Sequence, residues 1–163
     1  MRRATACAAA AALSAVLVHG QSPDTPVNVP PAERTRGAER VVVGHVETVT
    51  PVWRTNDYGD RLIVSVVHVA VDETLKGAAL PALDVEVEGG TIGTLTLRVS
   101  DLESFAPGDR AVFYLNRNRR GGLIPHRRGL GFQKVDRTGR VRGSTATLDE
   151  LRQQIRDAVR GQR

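Results

Sequence analysis

The chain has 163 residues, 40% hydrophobic, 25% charged and only 4% aromatic, with a formal net charge of +5 and one cysteine. That length suits one domain with its own core. A lone cysteine excludes a disulfide framework, a multi-cysteine zinc site and an iron–sulfur cluster.

Met1–Gly20 has the pattern of a secretory signal peptide. Arg2 and Arg3 open it, Ala4–Val18 is an apolar run too short to span a bilayer, and Val18-His19-Gly20 precedes a cleavage point. The expectation is export to the periplasm or the medium. Cys7 leaves with this segment, and its flank Ala4-Thr5-Ala6 lacks the leucine of a lipoprotein signal. Removing 20 of 163 residues leaves 143, without cysteine and so without thiol chemistry. No second apolar run is long enough to cross a membrane, so no transmembrane segment is expected in the mature chain.

Residues 21–37 carry four prolines and little apolar periodicity, and read as a leader or linker. Arg40–Thr50 is the first strand, with Gly44 marking a bulge or bend, and Pro51–Arg61 is a loop. Leu62–Val71 is apolar except for Ser65 and His68, and rich in β-branched residues. Neither of its faces is polar, which predicts a strand covered on both sides. Leu83, Val85 and Val87 alternate with Asp84, Glu86 and Glu88; Gly89-Gly90 turns the chain, and Leu95, Leu97 and Val99 form the return strand. Ala106-Pro107-Gly108-Asp109 is a turn, Ala111–Asn116 a strand, and Leu130–Val135 pairs with Val141 across Asp136–Gly139. Over Thr147–Arg160 the period becomes helical: Leu148, Leu151, Ile155 and Val159 share a face, Thr147 and Glu150 form a capping box, and Gly161 suits the end. The fold class is mainly β, a small antiparallel barrel at 38–145 with one C-terminal helix, 146–161, packed on it.

Three motifs occur in order: Val41-Val42-Val43-Gly44-His45-Val46, Val71-Asp72-Glu73-Thr74-Leu75-Lys76-Gly77, and Phe105-Ala106-Pro107-Gly108-Asp109-Arg110 before a Val-Phe-Tyr-Leu strand. Together, over about Ala38 to Val135, they resemble the netrin-like domains, which include the tissue inhibitors of metalloproteinases, and above all their cysteine-free bacterial secreted relatives. The resemblance implies an OB-like five-stranded barrel with a packed helix. It carries over no activity, because the metalloproteinase inhibitors place an N-terminal cysteine on the enzyme's zinc and this mature chain has none.

Chemistry is thinly represented. His45, His68 and His126 show no metal-binding spacing, although His45 and His68 would meet near Glu47 if the first two strands pair. Ser65, Ser100, Ser104 and Ser144 lie in no nucleophile motif. Asp84, Glu86 and Glu88 read as a solvated face paired with Arg98, and Gly89–Gly93 has no phosphate-loop pattern. No catalytic residue, metal or cofactor is assigned. The candidate ligand-binding residues are Arg117, Arg119, Arg120, Arg127 and Arg128, within a basic stretch, Arg117–Arg142, suited to a polyanion such as a glycan, nucleic acid or anionic surface. The expected function is a non-enzymatic secreted module contacting a protein or envelope component, with polyanion binding as one alternative and a hydrolase with an unrecognised site as another.

Overall fold

A computed structural model describes residues 29–56 and 58–162; the signal-peptide segment and the first part of the leader lie outside them. The chain enters through a short helix, α1 (Pro31–Gly37), and a long antiparallel hairpin, β1 (Arg40–Thr55) and β2 (Arg61–Lys76). Strand β3 (Ala82–Glu88) pairs with β2, and a separate small hairpin follows, β4 (Gly90–Ile92) with β5 (Leu95–Leu97). Strand β6 (Arg110–Arg117) returns against the start of β1. Strand β7 (Leu123–Pro125) pairs antiparallel with β6 and parallel with β3, through Val85 and Leu123. A 3₁₀ turn (Arg128–Gly131) leads to β8 (Phe132–Val135), also on β6, and the chain ends in α2 (Leu148–Arg160). The order β1-β2-β3-β7-β6 and back to β1 closes a five-stranded ring, the OB-like barrel, joined by one parallel pair.

Alternation divides the apolar residues into two cores. Val42, Val67, Val85 and Phe113 fill the ring, where Phe105 stacks on Phe113 at 5.5 Å and meets Phe132 edge-on at 4.8 Å. Val41, Val43, Val112 and Tyr114 point outward, under Leu148, Leu151 and Ile155 of α2. The capping box forms as expected, with the Thr147 hydroxyl accepting from the Glu150 amide and the Glu150 carboxylate accepting from the Thr147 amide. Arg152 and Arg156 both reach Glu73 of β2, tying the helix to the barrel. Tyr114 is buried beneath α2 and its hydroxyl donates to Gln133 at 2.6 Å; burial holds the phenol protonated well above the usual tyrosine range.

The bend at Gly44 is real. The pairing of β1 with β2 shifts register between Val43 and Gly44. A Cβ on Gly44 would lie 2.5 Å from the Ala70 carbonyl oxygen, so only glycine fits.

Five expectations need correction. Residues 31–37 are helical: Pro31 opens the helix, the Arg34 guanidinium donates to the carbonyls of Leu130 and Phe132, and Lys76 caps the Thr35 carbonyl at 2.8 Å. Strand β1 continues through Pro51 to Thr55, because beyond His45 it pairs only with β2, and an edge strand tolerates proline. Gly89 and Gly90 kink the chain at φ +114° and +136° instead of forming the hairpin turn, which falls at Gly93-Thr94. The strand after them therefore pairs with β4 and not with β3. The doubly covered strands are the start of β1 and the middle of β6; the outward side chains of β2, such as Leu62 and Val66, stay half-buried. Among the described residues no helix is long and apolar enough to cross a membrane.

Candidate ligand-binding site

The long hairpin outgrows its barrel. Strand β2 pairs with β3 only over Val64–Ala70, and β1 with β6 only over Arg40–His45, so the hairpin end stands proud of the ring. Its turn is preorganised: the Asn56 side-chain oxygen accepts from the amides of Tyr58 and Asp60, both at 2.9 Å. The β6–β7 turn is built the same way, with the Asn118 side-chain oxygen accepting from the amides of Arg120 and Gly122. A side-chain bond from the Arg120 guanidinium to the Thr55 carbonyl joins the two turns.

Between them, on the outer face of the barrel, lies a groove of about 200 Å³. Leu62 and Val64 of β2 and Ile124 of β7 give it apolar surface, and Glu86 and Glu88 come from β3. Glu86 is held from two sides, by Arg54 at 3.4 Å and by the Asn118 amide at 3.1 Å. Tyr58 lines the groove from the hairpin turn with 91% of its surface exposed. The two turns and Glu86 are fixed before any ligand arrives, which lowers the entropic cost of binding.

The histidines are placed elsewhere. His45 pairs through Nδ1 with Asp72 at 3.0 Å, and Arg110 holds the other oxygen of that carboxylate. His68 contacts Asp84 at 2.7 Å and Glu47 at 3.5 Å. The two rings thus sit against different carboxylates, and neither lines the groove. His126 is buried, its Nδ1 3.2 Å from the Asn116 amide nitrogen; burial, then the charges of Arg127, Arg34 and Lys76, hold its pKa below the usual histidine value. Among the described residues no group of three or more His, Cys, Asp and Glu side chains is arranged to hold a metal. Ser65 donates to the Gly89 carbonyl and Ser144 accepts from the Ala146 amide, each serving local structure.

The basic stretch is divided. Arg117, Arg119 and Arg120 flank the β6–β7 turn, where Arg117 donates to the Gly121 carbonyl. Arg127 and Arg128 follow β7, Arg127 against Glu33 and Arg128 against Glu88 and Asp101. Lys134 is buried, bonded to Asp109 at 2.9 Å and to the Ser104 carbonyl at 2.6 Å. Burial opposes ionisation of Asp109, but the bonds from Lys134 and the Ala106 amide outweigh it and lower its pKa. The acidic strand face is engaged by Arg54 and Arg128, with His68 in contact with Asp84, and not by Arg98 as expected.

Of the groove residues only Arg120 had been singled out as a ligand contact. Tyr58 and Leu62 of one hairpin lie far in sequence from Asn118 and Ile124 of the other, and the two pairs meet only when the ring closes. The signal present beforehand was the pair of Asn-headed turns, Asn56–Asp60 and Asn118–Gly122. No family model matches this chain, and no curated protein matches it.

Proposed function

We propose that this chain is an exported, non-enzymatic binding module of the netrin-like kind, which takes a protein or envelope component into the groove between the β1–β2 and β6–β7 turns. The observation that carries the reading is Tyr58: a ring 91% exposed, on a turn fixed by two hydrogen bonds, beside an apolar strip. An amphipathic ring displayed to solvent on a fixed turn is the kind of group that anchors partner surfaces. Export rests on the Met1–Gly20 pattern. Polyanion binding has less support, because Arg127 and Arg128 already face Glu33, Glu88 and Asp101.

The test is site-specific photocrosslinking in the producing cell, with a benzophenone amino acid at position 58 or, as the control, at position 137. A discrete adduct at 58, absent at 137 and lost on Leu62→Asp, supports the reading. The same adducts from both positions, or none from 58, would overturn it.

A further inference from the structure

On the other side of β3 from the groove the barrel opens into a second, larger cavity, of about 650 Å³. Its floor is the ring interior, where Val49, Val67 and Val87 face inward; its cover is the β4–β5 hairpin and the following connection, through Leu97, Leu102 and Phe105. The connection is anchored by Phe105 in the ring, whereas the β4–β5 hairpin is pressed close at one end only. The Gly89 amide donates to the Ile63 carbonyl, Ser65 donates to the Gly89 carbonyl at 2.8 Å, and a Cβ on Gly90 would come within 2.7 Å of the Ser65 oxygen. Beyond that contact β4 and β5 pair only with each other, and Leu95 at their far end is 58% exposed. The hairpin bridges the mouth of the barrel instead of filling it.

Three charged side chains line this cavity: Glu88, Arg98 and Glu103. Both carboxylates are engaged, Glu88 by Arg128 at 3.3 Å and Glu103 by Lys134 and Arg142 at 3.8 Å. Arg98 has no ion-pair or hydrogen-bond partner among the described residues. The lining is mixed: Val, Leu, Pro and Phe side chains alternate with the hydroxyls of Ser65, Thr91, Thr96, Ser100 and Ser104, around one guanidinium with no partner among the described residues, and the size suits a small organic ligand. An apolar body gains from leaving water there, and a carboxylate or other anionic head completes the guanidinium's hydrogen bonding.

We infer that the barrel mouth is a binding site for a small amphipathic anion, its apolar body under the β4–β5 hairpin and its head on Arg98. The site shares only the Glu88 wall with the Tyr58 groove and does not depend on Tyr58.

Decanoate is the probe, with decanol and decyltrimethylammonium as neutral and cationic controls of the same chain length. Calorimetry should give one saturable decanoate site, and the methyl resonances of Val67, Val87 and Leu97 should shift with the same dissociation constant. Decanol should bind about tenfold more weakly, the loss expected for one charge-assisted contact. Arg98→Glu should reverse the preference between anion and cation, and Thr96→Trp, on the exposed hairpin, should block all three while leaving the melting temperature in place. Tyr58→Ala should leave decanoate binding unchanged, so the two sites fail or stand separately. Absence of saturable binding, equal affinity for the three probes, or decanoate binding indifferent to Arg98→Glu would each overturn the assignment.

Discussion

Val41–Val43 in β1 and Leu62–Val66 in β2 are similar words in the sequence, rich in β-branched residues and apolar except for Ser65. They meet different fates. In β1 all three valines have no exposed surface, because one face fills the ring and the other lies under α2. In β2 the outward Leu62 and Val66 remain half-exposed, and Leu62 and Val64 line the groove. Both segments are rich in β-branched residues; what separates the strands is the direction in which the Thr147 capping box launches the helix, and Glu73, which receives its arginines. The side left bare is where the preorganised turns and the exposed tyrosine stand.

The sharpest test of that contrast is a pair of truncations. Leu151→Ala removes a fully buried side chain from the seam under α2 and should cost about 2–5 kcal/mol. Leu62→Ala, on the less covered side, should cost less, about 1–2 kcal/mol, since that side chain is only partly buried. Urea denaturation measures both. Equal losses would mean that α2 does not divide the barrel into a structural and a displayed face.

The next largest effect concerns the segment that sequence pattern misread. Helix α1 has seven residues, too few to be stable alone, and it is held by tertiary contacts. Arg34→Ala removes donors to the carbonyls of Val29, Leu130 and Phe132 and should cost about 1–2 kcal/mol. Amide exchange should accelerate in α1 and not in α2.

A smaller, pH-dependent effect arises beneath that helix. His126 packs so tightly against Gly37 that a Cβ there would lie 2.5 Å from the ring. Its pKa is lowered, by burial first and then by neighbouring cations, so the folded chain keeps the ring neutral where the unfolded chain takes up a proton. Stability from this source is complete above about pH 6.5 and is lost as the pH falls toward the depressed folded value. The melting temperature should therefore drop between pH 7.5 and 5, above the carboxylate range, and His126→Gln should flatten the drop.

What could be read without coordinates follows physical rules with short reach. The helix at Leu148–Arg160, its capping box, the bend at Gly44 and the alternation of Leu83–Glu88 are each written within a few residues. Helix α1 was hidden because long polar side chains, Arg34 and Lys76, do its anchoring, so no apolar stripe exists to be seen. Strand β1 was cut at Pro51 because edge position is a property of the closed sheet. The groove was invisible for the same reason: Arg54, Glu86 and Asn118 converge only when β7 joins β3 in parallel.

The smallest change in stability belongs to the most informative pair of substitutions. Glu86 and Glu73 are each clasped by side chains from other elements, Glu86 by Arg54 and Asn118 across the groove, Glu73 by Arg152 and Arg156 across the helix seam. Replacing either by glutamine keeps the shape and removes the charge. Glu73→Gln loosens the tie between α2 and β2 and should cost up to about 1 kcal/mol; Glu86→Gln lies in an exposed pair and should cost no more than about 0.5 kcal/mol. In crosslinking from position 58 the order should invert. Glu86→Gln alters the charge that a partner meets beside Tyr58 and should weaken the adduct, whereas Glu73→Gln, on the covered side, should leave it intact. Loss of the adduct with both variants, in proportion to their stability, would make the groove's charge irrelevant and reduce the contrast between the two faces to one of packing alone.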